Sequence, residues 1–282
     1  MAFTTPEGSF EHTVMFFGLT NSPVTFQAIM NKLLRDLINT GKVAAFIDDI
    51  IVGTETEEEH DKIVAEIIKR LEENDLYVKP EKYKWKVREV GFLGVVIGPD
   101  RIKMEEEKVK GILDWPTPKC VKDVQKFLGL ANYYRQFIEG FAFIARLLHD
   151  IVKKDQKWDW TERQEKAFRE LKEQFTKEPV LVAPDLDKKI RMEVDASDYA
   201  TGGVLSMECE DGLWRPVAFL SISFNEMERN YKIHDKEMLA ILRGLENWGY
   251  LLEGTCFKFK IWTDHKNLEY FIKAQKLNCK QA

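Results

Sequence analysis

Two adjacent carboxylates interrupt the apolar run Val43-Ala44-Ala45-Phe46-Ile47-Asp48-Asp49-Ile50-Ile51-Val52. A continuous buried element does not tolerate that pair, because like charges repel and desolvation disfavours both. The flanks are rich in Val and Ile, which suit strands. The segment therefore predicts a tight hairpin with Asp48 and Asp49 at its bend. Two readings fit such a bend. One is an ordinary solvated turn; the other is a turn whose acids are neutralised by a divalent cation.

The chain has 282 residues, about two domains' worth, and 44% of them are hydrophobic, enough for real cores. Lys, Glu or Asp breaks every apolar run before it reaches the length of a membrane span. The first eight residues lack the charged-then-apolar layout of a signal peptide. Cys120, Cys209, Cys256 and Cys279 are far apart, which points to a reducing compartment and to neither a disulfide framework nor a zinc site. The formal net charge of −5 argues against a surface that is cationic throughout, but not against a local basic patch. Residues 79–88 are such a patch: Lys79, Lys82, Lys84, Lys86 and Arg88 face one acid, Glu81, with Tyr83 and Trp85 interleaved. Basic and aromatic groups together hold phosphates and stack on bases. A strand edge guarded by lysines has the same composition.

The order of elements is legible. Ser22 and Pro23 open a helix carrying Phe26, Met30, Leu33, Leu34 and Leu37 at helical spacing. After the hairpin, Thr56 and Glu59 form a capping box ahead of Ile63, Val64, Ile67, Ile68 and Leu71. Strands are expected at 76–78 and 90–97. Residues 104–176 read as nearly all helix, with one long helix over 121–138 and a capping box at Thr161 and Gln164. From residue 189 the pattern turns to strands at 190–194, 204–207 and 215–220, a helix over 228–248, and a strand over 257–262.

Taken together, several motifs carry a resemblance that none carries alone. Phe17-Gly18-Leu19-Thr20-Asn21-Ser22-Pro23-Val24-Thr25-Phe26-Gln27, then Phe46-Ile47-Asp48-Asp49, then Gly91-Phe92-Leu93-Gly94 resemble the reverse transcriptase palm and its primer-grip hairpin. Trp115-Pro116-Thr117-Pro118 and Phe127-Leu128-Gly129-Leu130-Ala131-Asn132-Tyr133-Tyr134-Arg135 resemble the thumb. Asp195, Glu237 and Asp264, at a strand end, on a long helix and at a later strand end, resemble the acids of the retroelement RNase H domain. The closest resemblance is to the Pol polyprotein of gypsy-type LTR retrotransposons.

The resemblance implies an α+β multidomain chain. A partial palm with a ferredoxin-like sheet spans 1–103, a helical thumb/connection 104–185, and a C-terminally truncated RNase H-like α/β domain 186–282. Asp48 and Asp49 would hold Mg²⁺ at a primer 3′ end; Asp195, Glu237 and Asp264 would hold Mg²⁺, or Mn²⁺ in its place, against RNA in an RNA–DNA hybrid. Gln27, Phe92 and Leu93 would contact nucleic acid, as would Lys82, Lys84 and Trp85 of the basic patch. The partners would be template–primer, hybrid and deoxynucleotides, with other Pol regions or a second subunit and no membrane. The setting would be the cytoplasm, the nucleus or a virus-like particle. Asp198 is expected to be a turn residue, not a ligand.

The chain also departs from the family pattern. The family's upstream palm carboxylate and its fourth RNase H carboxylate fall outside these 282 residues, so an internal fragment without polymerase activity is expected. The alternative function is a remnant that only binds primer–template. Phe16 stands where Pro is usual, Phe46 where Tyr is usual, and Cys120 where Thr or Ser is usual. An unrelated palm-like protein such as a nucleotide cyclase would not carry the motifs beyond residue 104.

Overall fold

A computed structural model describes residues 2–16, 18–154, 156–177 and 180–264. The chain divides into two compact units at Val87/Arg88. That division precedes the 90–97 hairpin, which packs with the helices that follow it.

The first unit holds a hairpin of β1 (Ala2–Thr5) and β2 (Gly8–Glu11), then helices α1 (Ser22–Leu33) and α2 (Arg35–Asn39). The hairpin of β3 (Val43–Phe46) and β4 (Asp49–Val52) follows, then α3 (Glu57–Glu73). Met30 and Leu34, Val43, and Ile67 and Leu71 form one core between the helices and the hairpin. Arg70 fastens α3 to the α1–α2 segment: it donates to Leu33 O at 3.1 Å, to Asp36 Oδ2 at 2.8 Å and to Glu66 Oε1 at 2.7 Å. The Arg70 hydrogen bonds pull the Asp36 carboxyl down to about 2.

Local signals are met in part. Thr56 caps α3 by accepting from Glu59 N at 3.4 Å. The cap position of α1 is Asn21, not Ser22; Ser22 is the first helical residue and its hydroxyl donates to Phe16 O at 3.4 Å. Residues 76–78 form no strand, since nothing pairs with them among the described residues.

The second unit opens with β5 (Val90–Phe92), β6 (Val95–Ile97) and β7 (Arg101–Met104). Four helices follow: α4 (Glu106–Leu113), α5 (Val121–Tyr133), α6 (Phe141–Ile151) and α7 (Glu162–Thr176). The long helix expected over 121–138 stops at Tyr133 and tightens into a 3₁₀ turn at Arg135–Phe137. Gly140, at φ 65°, then opens α6. The capping box at Thr161 and Gln164 forms as expected. Phe127, Phe137, Phe141, Leu148, Phe168 and Phe175 are the main buried bulk of this core. The short strand β8 (Leu181–Val182) then returns to pair with β7, giving the sheet order β5-β6-β7-β8.

The last part is a second sheet of β9 (Ile190–Ala196), β10 (Ala200–Glu208) and β11 (Trp214–Ser223), the short α8 (Glu226–Arg229), the long α9 (Ile233–Leu252) and β12 (Lys260–Trp262). The order is β11-β10-β9-β12, with β12 parallel to β9 and the rest antiparallel. The expected helix over 228–248 is thus two helices: a capping box of Asn225 and Glu228 opens α8, which stops at Arg229, and α9 starts anew at Ile233. Alternation along β9 buries Ile190, Met192, Val194 and Ala196 against α9 and turns Asp195 outward. Gly244 lets α9 lie close on the sheet: a Cβ there would come 2.6 Å from Met192 Sδ.

Candidate active sites and nucleic-acid interface

The first acidic site is the tip of the β3–β4 hairpin. Phe46 pairs with Asp49, leaving Ile47 and Asp48 as a two-residue loop. Ile47 has φ 53°, costly for a β-branched residue, while Asp48 does not. That sign pattern is the type II′ turn, whose twist matches a hairpin. Gln27 of α1 holds it there. Its Nε2 donates to Ala45 O at 3.0 Å and its Oε1 accepts from Ile47 N at 2.6 Å. The amide expected to face nucleic acid is thus engaged with the hairpin backbone. Asp48 and Asp49 are both exposed beside this turn. Phe17, which opens the upstream motif, lies outside the described residues.

The basic patch follows the 3₁₀ turn at Pro80–Lys82. No strand forms over 83–88, so the lysines guard no sheet edge. Trp85 is half exposed and packs edge-on to Tyr83 at 5.2 Å between centroids. Lys82 and Lys84 are exposed and make no ion pair among the described residues. Lys86, by contrast, is held by Asp61 at 3.0 Å and Glu57 at 3.4 Å.

In the second unit, Phe92 pairs with Val95 and the loop is Leu93-Gly94. Both loop residues have positive φ, 50° and 79°, the type I′ turn. Two tyrosines from the end of α5 hold it: Tyr133 Oη donates to Leu93 O, and Tyr134 Oη to Gly94 O at 2.9 Å. A Cβ on Gly94 would lie 2.7 Å from Tyr134 Oη. Gly94→Ala is therefore expected to destabilise the second unit by about 1–3 kcal/mol, through the positive φ and the lost tyrosine contact. Urea denaturation measures it; an unchanged midpoint would show that the tyrosines do not fix the turn.

The second acidic site lies at one end of the β9 sheet. Asp195 is the penultimate residue of β9, Asp264 follows β12, and Glu237 is in the first turns of α9. β12 runs parallel to β9, which brings both strand ends to the same side. One carboxylate oxygen from each residue lies within 4.8 Å of the others. Glu237 is only 3% exposed, while Asp195 and Asp264 are open to solvent. Asp195 Oδ1 accepts from Ala196 N at 2.7 Å, and Thr263 Oγ1 donates to Glu237 Oε2 at 3.5 Å. Burial, then the charges of Asp195 and Asp264, push the Glu237 carboxyl up to about 7. Three convergent carboxylates, one of them buried against the repulsion of the other two, fit a hard divalent cation. Asp198 stands outside this group; Lys236 Nζ pairs with it at 3.6 Å.

Sequence reasoning missed the joint between the segment 135–142 and the β9 sheet. Ser221 Oγ accepts from Ala142 N at 2.8 Å, and Arg135 donates to Ser221 O. Nothing in the spacing of these residues signals a contact between elements so far apart in the chain.

Two stretches of the chain match known families. Residues 1–97 match the family of reverse transcriptases (RNA-dependent DNA polymerases). Residues 160–261 match the RNase H-like domain found in reverse transcriptase. The Tf2-3 and Tf2-7 transposon polyproteins of Schizosaccharomyces pombe are each 36% identical over 268 residues, 95% of this chain. The chain spans about a fifth of the length of these relatives, 20% of each. Two solved structures share the fold. The foamy viral protease-reverse transcriptase in complex with RNA/DNA hybrid matches with a TM-score of 0.78 and 23% identity, over 99% of this chain and 38% of that one. The same viral protein in complex with dsDNA matches with 0.79 and 23%, over 98% and 56%. Residues 1–97 thus carry reverse transcriptase sequence and residues 160–261 RNase H-like sequence, in a chain similar to a segment of retrotransposon polyproteins.

Proposed function

We propose that this segment serves RNA-directed DNA synthesis and the removal of RNA from RNA–DNA hybrids. The convergence of Asp195, Glu237 and Asp264 carries the reading. These three residues would hold Mg²⁺, or Mn²⁺ in its place. Such ions, when bound, lower the pKa of a water and stabilise the charge that develops on a phosphodiester. Glu237 supplies a ligand fixed by burial and by Thr263, while Asp195 and Asp264 present theirs to solvent, where a strand can reach them. The exposed sheet end suits a duplex recognised by its backbone and 2′-hydroxyls.

In the first unit, Asp48 and Asp49 would hold ions at a primer 3′ end, with Gln27 keeping the hairpin tip in its strained turn. Lys82, Lys84 and Trp85 offer two unpaired charges and a stacking face to single-stranded or duplex nucleic acid. The Leu93-Gly94 turn, fixed by two tyrosines, offers a rigid edge for a primer strand. Template–primer, hybrid and deoxynucleotides are the proposed ligands, and other regions of a polyprotein the proposed partners.

The test is cleavage of an RNA–DNA hybrid by residues 1–282 in Mg²⁺ or Mn²⁺, beside the Asp195→Asn variant. The variant is expected to lose on the order of 10³-fold or more in rate. Equal cleavage by both proteins would remove Asp195 from the site. A second reading, binding without turnover, is favoured only by the exposed basic–aromatic patch. It requires salt-sensitive duplex binding with no cleavage by either protein.

A further inference from the structure

A cleft of about 630 Å³ opens where α5 and α6 meet the end of β11 and α8. Its basic lining is Arg135, Arg146, His149, Lys153 and Arg229, against Asp150 and Glu226. Lys153 and Asp150 neutralise each other at 2.6 Å. Three guanidinium groups then face one carboxylate, and none of the three forms an ion pair among the described residues. In a chain of net charge −5 this is a local reversal of sign.

The three arginines are placed for recognition. Arg146 lies over the Tyr199 ring, 4.2 Å from its centroid. Stacking fixes a guanidinium plane and leaves its N–H edge free for a planar or tetrahedral oxyanion. Arg135 is anchored by Ser221 O and lies 5.7 Å from the Phe141 ring centroid. Desolvation lowers its pKa, as expected where a cation is kept without a counter-ion. Arg229 is exposed at the end of α8. Lys153 is taken up by Asp150, and burial with the charge of Arg135 holds His149 below the usual imidazole range.

The cleft is also close in the chain to the acidic site. Tyr199 follows Asp195 by four positions, in the turn between β9 and β10. Ala200, next to it, pairs with Ser223 of the cleft. We infer that this cleft is a phosphate-binding site built jointly by the thumb and the RNase H-like domain. Its ligands are backbone phosphates of a strand whose next nucleotides approach Asp195 and Asp264. Arginines on three separate elements around an open cleft suit successive phosphodiesters better than one compact anion. That the strand leads to a cleavage site rests on the proposed nuclease function; the phosphate binding itself does not.

The experiment measures binding of a labelled RNA–DNA hybrid to residues 1–282 across a salt series, in the Asp195→Asn background so that nothing is cut. Changing Arg146→Gln and Arg229→Gln together is expected to lower the salt slope by about two and affinity on the order of 50-fold near 0.1 M salt. A matched pair of changes outside the cleft, Arg163→Gln and Lys166→Gln on α7, is expected to leave the slope within error. Arg146→Lys is expected to recover part of the charge effect. An unchanged slope in the folded Arg146/Arg229 variant, or an equal fall in the α7 control, overturns the site. Inorganic pyrophosphate supplies the other arm: if it stabilises the wild type against heat at micromolar levels while the variant binds hybrid normally, the backbone is not the ligand. Loss of slope in the cleft variant with no hybrid cleavage by the wild type would keep this site and reject the nuclease reading.

Discussion

Glu237→Gln is expected to make the protein inactive and more stable at once. On the proposed function, hybrid cleavage should fall on the order of 10³-fold or more, because a carboxylate of the proposed metal site becomes a neutral amide. Without divalent ions, the melting temperature at pH 8 should instead rise. The wild-type carboxyl is buried beside Asp195 and Asp264, and its pKa is raised from 4.5 to about 7. The folded state therefore binds this proton more tightly than the unfolded chain does. Stability from this group is greatest below about 4.5, declines as pH rises towards 7, and stays at its minimum above that. Screening by solvent around the two exposed aspartates limits the swing to on the order of 1–2 kcal/mol. Melting curves in EDTA between pH 5 and pH 8 should show that decline in the wild type and less of it in Glu237→Gln. Mn²⁺ affinity should weaken as pH falls through 7, because the ion competes with the proton. A variant that melts lower than wild type at pH 8 in EDTA would show that the three acids do not repel one another in the folded chain.

The second large effect concerns Glu228 and Arg243, which join α8 to α9. Arg243 Nη2 lies 2.9 Å from both Glu228 oxygens, and the two side chains are 15% and 14% exposed. The guanidinium also reaches Thr201 Oγ1 at 3.4 Å and lies 5.5 Å from the Phe224 ring centroid. Removing one partner strands the other charge away from water. Arg243→Met or Glu228→Leu alone should therefore cost about 3 kcal/mol, roughly 10 °C in melting temperature. The double variant should recover most of the ion-pair part of that loss, because desolvation of the pair offsets much of its attraction, but not the bond that Glu228 Oε2 accepts from Asn225 N at 2.8 Å. If the double variant is as unstable as the sum of the singles, the pair contributes attraction well beyond its desolvation cost.

The legible parts of this chain are those with local causes. Alternation along 190–194 and the positions of Asp195, Glu237 and Asp264 were enough to place three acids at one sheet end, and they meet there. Thr161 and Gln164 marked a helix start correctly because a capping box satisfies its own backbone donors. The misses have non-local causes. The helix from 121 ends at Tyr133, where the Tyr133 and Tyr134 hydroxyls turn back to the Leu93-Gly94 loop. Gln27 lay in a recognisable motif, yet its bonds to Ala45 and Ile47 depend on how α1 sits against β3. The arginine cleft was invisible because Arg135, Arg146 and Arg229 come from segments far apart in the chain, two of them joined to β11 through Ser221.

The pairing of β8 with β7 has a consequence for synthesis on the ribosome. Ile102 meets Leu181 and Arg101 meets Val182, so everything from α4 to α7 is an excursion between two adjacent strands. The β7 edge stays open until residue 182 has left the exit tunnel. During that interval the nascent chain offers an unpaired strand edge, the surface through which chains associate wrongly. A pause in translation before residue 182 has emerged would prolong that exposure, and one after it has emerged would let the sheet close first.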